Sequence, residues 1–213
     1  MIAIPESMEM TGSTYKLSFT AGGLLFSESL IVADEHGRTG DWAAAARLVG
    51  NNNLLQARTE SAGKRVLREV CARLRLLTSD ELNLLRTGPR PDQLQLLWLA
   101  VCKRYELLYE FGSEVVRNKF LQLDLSVSPN DFEDFLDAKC IWHPEIEDLA
   151  ASTRTKLRQV ALQMLRQAEI LSDDNIIQPA TLSAEVAQVI QADATSLFAV
   201  FPISDSDIRA ALS

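Results

Sequence analysis

Side chains that titrate near neutrality or bind soft metals are few in this sequence: His36, His143, Cys71, Cys102 and Cys140. Neither histidine has neighbours that read as a catalytic triad. Cys140-Ile141-Trp142-His143 offers two zinc-ligand types, but a structural zinc site takes about four. No further Cys-x-x-Cys or His pair completes the set. All three cysteines lie in apolar, helix-spaced stretches, as expected of reduced thiols buried in a cytoplasmic protein. Glu133, Asp134, Asp137, Glu145, Glu147 and Asp148 form an acidic run. A solvated acidic face, or a surface for a basic partner, accounts for it better than a metal cluster does. Gly22-Gly23 lacks the Gly-Lys-Ser/Thr that a phosphate loop needs, and reads as a turn or helix start. The sequence thus nominates no catalytic residue, no metal ligand and no cofactor.

Its cations are more informative. From Asn51 to Leu77 there are six basic residues (Arg58, Lys64, Arg65, Arg68, Arg73, Arg75) and two acidic ones (Glu60, Glu69), a net of +4 in a chain of −8. Thr59 is placed to cap a helix, and Glu60 suits the positive end of its dipole. At ~100° per residue, Val66, Leu67, Val70, Leu74 and Leu77 share one stripe that must face a core. Lys64, Arg68 and Arg75 share the opposite flank, with Arg65 beside them. In front lies a short alanine-rich helix opened by Asp41, D-W-A-A-A-A-R-L-V-G, then the asparagine run 51–53. Short helix, polar turn and longer basic helix make a helix-turn-helix pattern, whose second helix would enter a major groove of DNA. A plain solvated face is the competing account, because arginine favours helices wherever they are exposed. On the first reading, Arg58, Thr59, Lys64, Arg65, Arg68 and Arg75 are candidate DNA contacts.

A second basic helix follows in the other half. Pro144 opens a short helix, and Ser152 or Thr153 is placed to cap a long one with Leu157, Val160, Ala161, Met164, Leu165 and Ala168 inside. Arg154, Lys156, Arg158 and Gln159 are its candidate DNA contacts. Gln159, Gln163 and Asn53 are the side chains suited to base edges. Ile170 to Ile177 reads as a tight hairpin, which would complete the order of a winged helix. Its tip, Ser172-Asp173-Asp174-Asn175, is too acidic for a good minor-groove wing.

Around these elements the chain reads as all-α, with about ten helices and at most one small β-hairpin. Seven prolines and nine glycines are few for 213 residues, and apolar residues recur mostly at helical spacing. Thr78 to Glu81 and Ser128 to Asp131 carry helix-start signatures. Asp92 to Phe111 is apolar over more than half its circumference and should be the central strut, interrupted near Gly112 and Ser113. Tyr105, Tyr109 and Phe111 have core spacing rather than that of a base-stacking platform. The pattern divides into residues 1–127, with the first helix-turn-helix, and residues 128–213, with the winged-helix-like element. The first dozen residues read as a loose arm without the basic start and apolar run of a secretory signal. No apolar run approaches the ~20 residues that span a bilayer.

Several segments together resemble one family. F-T-A-G-G-L-L-F-S-E-S, N-L-L-Q-x-R-T with the following K-R-V-L-R-E, L-L-W-L-A-V-C-K-R-Y and S-T-R-T-K-L-R-Q-V are similar to BrxA, the small accessory proteins of bacteriophage-exclusion (BREX) phage-defence loci. The similarity extends from Tyr15 to Pro179. It implies an all-helical, cytoplasmic bacterial protein with helix-turn-helix elements and double-stranded DNA as its ligand. It also implies work beside the other subunits of the system, a methyltransferase and an ATPase among them, and it brings no catalytic residues.

Overall fold

The computed structural model describes residues 14–213. Twelve α-helices occur among them, with 3-10 turns at Ser18–Ala21 and Thr195–Val200 and a π-helical stretch at Phe111–Arg117. No strand forms among the described residues. The expected hairpin after the second basic helix is reduced to isolated antiparallel bridges, Leu171 to Ile177 and Ser126 to Ile176.

The first three helices, α1 (Phe26–Thr39), α2 (Trp42–Asn51) and α3 (Glu60–Leu74), pack on one another. α1 ends at Gly40, whose φ of 66° is the left-handed conformation that closes helices. Asp41 then caps α2, its carboxylate accepting from the Ala44 amide at 2.6 Å. A capping box of Thr78 and Glu81 opens α4 (Ser79–Thr87), and Pro91 lies in the first turn of α5 (Arg90–Arg104).

α5 is the strut. Leu94 and every residue from Leu96 to Cys102 are buried. It is shorter than its apolar pattern predicts, because the chain breaks at Tyr105 (φ −125°, ψ 97°) and resumes as α6 (Glu106–Glu110). Gly112 falls instead in the π stretch, where a β-carbon would lie 3.4 Å from both the Trp98 ring and the Val200 carbonyl oxygen. Trp98 is fully buried and donates to that same carbonyl at 2.9 Å, holding the C-terminal part of the chain on the strut.

Beyond the π stretch come α7 (Asn118–Leu121), α8 (Pro129–Cys140), α9 (Pro144–Glu147), α10 (Ala151–Gln167), α11 (Ala184–Asp193) and α12 (Asp205–Ala211). Ser128 and Asp131 form the capping box of α8. α10 begins one residue earlier than Ser152 and has no side-chain cap at Ala150. α11 lies on α4 and α5, and the buried side chains form a continuous cluster from Tyr15 to Ile203.

Candidate nucleic-acid interface

The turn 52–59 between α2 and α3 is built by its own side chains. Asn53 and Gln56 take positive φ, 44° and 50°. The Asn53 side chain accepts from the Ala57 amide at 3.0 Å, closing the loop on itself. Thr59 caps α3 by accepting from the Ala62 amide at 3.2 Å. On α3 the apolar stripe faces inward as expected: Val70 and Leu74 are buried, as is Leu77 just beyond its end, and Val66 and Leu67 pack on the core.

The opposite flank presents the cations. Arg58, Thr59, Lys64, Arg65, Arg68 and Arg75 are all exposed. Lys64 contacts Glu60, one turn earlier, and holds that carboxyl below its ordinary range. Among the described residues no ion pair engages Arg58, Arg65 or Arg68. Arg75 lies over the Trp42 ring, 5.7 Å from its centre, and His36 stacks on Trp42 with ring centres 3.8 Å apart. Partial burial first, and then the Arg86 charge, hold His36 below its usual pKa. Trp42 thus ties the start of α2 to the end of α1 and to the end of α3.

Arg73, which sequence counting places with the surface cations, is buried. Its Nε donates to Glu69 at 2.7 Å and its Nη1 to the Gly23 carbonyl at 2.9 Å. The Tyr105 hydroxyl donates to the same Glu69 oxygen, and burial followed by that bond pushes the phenol up. The exposed charge is unchanged by this, since one cation and one anion leave the surface together. Five exposed cations and Glu60 still give +4.

The second basic helix is arranged differently. Arg154 turns onto α8, pairing with Glu133 at 3.2 Å and with Asp137. Partial burial lowers its pKa, and the two carboxylates more than offset that. Arg158 pairs with Glu133 at 2.6 Å. Lys156, Gln159 and Gln163 remain exposed. The structure therefore gathers the first set of candidates on one face and splits the second, with the acidic run of α8 neutralising two of its three cations. That pairing could have been found only by placing α8 against α10.

Fold and site together define an all-helical protein with an exposed basic helix on an acidic body. The BrxA family model matches residues 13–194, and the chain belongs to the BrxA family. It is 26% identical over 145 residues to the BREX protein BrxA of Bacillus cereus (strain H3081.97), spanning 67% of this chain and 72% of that one. To the BREX protein BrxA of Escherichia coli O9:H4 (strain HS) it is 23% identical over 147 residues, 69% of each chain. An uncharacterised protein of Magnetospirillum magneticum, solved by crystallography, has the same fold. Its TM-score is 0.77 at 19% identity, covering 89% of this chain and 100% of that one.

Proposed function

We propose that this chain is a non-catalytic, double-stranded DNA-binding component of a bacterial BREX phage-defence system, acting in the cytoplasm. α2, the turn 52–59 and α3 are its main helix-turn-helix, and α3 is the helix that meets the duplex. The observation that carries this reading is the exposed flank of α3, where Arg58, Arg65 and Arg68 make no ion pair among the described residues and Lys64 and Arg75 stand beside them. Such cations contact phosphates, which position a protein without reading sequence. Binding should be weak, with little sequence preference, because the rest of the molecule sums to −12 and repels the duplex. Micromolar affinity that falls steeply with salt follows.

A mobility shift at low salt tests the proposal. Replacing Lys64, Arg65 and Arg68 with glutamate should abolish the complex while leaving the helical circular-dichroism signal unchanged. If the wild type forms no complex at high micromolar protein, the DNA reading fails. The second reading is an adaptor that docks other subunits of the system, a methyltransferase or ATPase among them, with DNA contact incidental. The ion pairs that hold Arg154 and Arg158 against α8 favour it for the second half. No helix among the described residues is long and apolar enough to cross a membrane.

A further inference from the structure

Two large apolar side chains stand out from the surface at the end of α8: Ile141 is 74% exposed and Trp142 67%. The turn that carries them is firmly held from behind. His143 stacks on Tyr15 with ring centres 3.8 Å apart, and the Tyr15 amide donates to Glu145 at 2.9 Å. Lys139 is anchored by Glu110 at 2.7 Å and Glu114 at 2.8 Å. A rigid, exposed tryptophan is the residue type that anchors protein interfaces. Its surroundings are acidic: residues 129–150 hold seven carboxylates and one lysine. Asp134, Asp137, Glu147 and Asp148 are exposed there. The matching surface is therefore an apolar groove with a basic rim.

The same chain carries one. Between α2, the turn 52–59 and α3 lies a groove of about 650 Å³, within the size range of sites that enclose drug-sized ligands. Val49, Leu55 and Leu67 form its apolar floor, and Arg58 and Lys64 stand at its rim, with Glu60 the one acidic neighbour. The knob is on α8, which packs on α9, α10 and the π stretch, and the groove is on helices that pack on α1. We propose that the Ile141–Trp142 turn of one copy docks head to tail into the α2–α3 groove of a second copy of this chain. The thirteen residues ahead of Thr14 fit the knob less well, because they carry Glu6 and Glu9 and no cation. Being heterologous, the contact leaves a free knob and a free groove on every dimer, so assembly continues to rings or filaments. It engages Arg58 and Lys64, and so competes with whatever else those cations bind. The inference rests on the two exposed faces and not on the DNA reading.

Sedimentation velocity of the full chain at low salt, over a concentration series, tests it. Wild type should pass from monomer to larger species, with reversal on adding salt. Ile141→Ser/Trp142→Ser and Arg58→Glu/Lys64→Glu each remove one exposed face and should weaken self-association on the order of tenfold or more. Mixed together, the two variants should form a one-to-one dimer and nothing larger, since each retains the face that the other lacks. The knob variant should bind DNA at least as tightly as wild type does, because nothing docks over its Arg58 and Lys64, and this separates the proposal from the DNA reading. A wild type that stays monomeric into the high micromolar range overturns the proposal. So does self-association that survives either double change, and so does a mixture that yields no heterodimer.

Discussion

Arg68 and Arg73 lie five residues apart on one helix and have opposite fates. Arg68 points to solvent, while Arg73 is almost fully enclosed against Glu69, Tyr105 and the Gly23 carbonyl. Removing one partner of a buried pair leaves an uncompensated buried charge, which costs about 3–5 kcal/mol. Arg73→Ala should therefore lower the denaturant midpoint sharply. Arg68→Ala should change stability by no more than about 0.5 kcal/mol and act on DNA affinity instead. Equal effects of the two changes on the midpoint would contradict the buried network. The sequence does not reveal this difference, because Glu69 and Arg73 at i,i+4 look like any surface helix pair. What buries them is a carbonyl 50 residues away and a phenol 36 residues away.

At the scale of elements, local chemistry proved the better guide. Asp41, Thr59, Thr78, Ser128, Ser183 and Ser204 all cap helices by accepting a main-chain amide. Such caps depend on residues three apart and so are legible without a fold. The break at Tyr105 is not legible in this way, since no proline or glycine marks it and the tyrosine is held by Glu69 on another helix. Arg154 and Arg158 escape for the same reason, their partners being 17 to 25 residues back on α8. The hairpin is reduced to bridges: Ser172 donates to the Ile176 carbonyl and Gln178 to the Ile170 carbonyl, while Ile177 donates instead to Leu125 and Val127 to Asn175. Thr59 is the cap whose loss should be felt in function. Thr59→Ala removes the acceptor for the Ala62 amide and should cost about 1 kcal/mol. It should also loosen the first turn of α3 beside Arg58, visible as faster amide exchange at residues 60–63 with the exchange of α5 unchanged.

The whole molecule sets the strength of any DNA contact. A body of −12 facing a duplex opposes a patch of +4, so the number of cations reaching phosphates decides whether binding occurs. Each phosphate neutralised contributes about −0.9 to the slope of log K against log salt concentration. The first face offers Arg58, Lys64, Arg65, Arg68 and Arg75, and about four contacts would give a slope near −3.6. The second offers only Lys156 freely, because Glu133 and Asp137 already hold Arg154 and Arg158. Single alanine changes separate the two faces without reversing any charge. Arg65→Ala and Arg68→Ala should each reduce the steepness of the slope by roughly one unit. Lys156→Ala should reduce it by at most the same amount. Arg154→Ala should leave the slope unchanged, and the affinity should fall only modestly as Asp137 is released to face the duplex. If Arg154→Ala lowers the slope as much as Arg68→Ala does, the ion pairs on α8 open when DNA binds, and the second basic helix belongs to the interface after all.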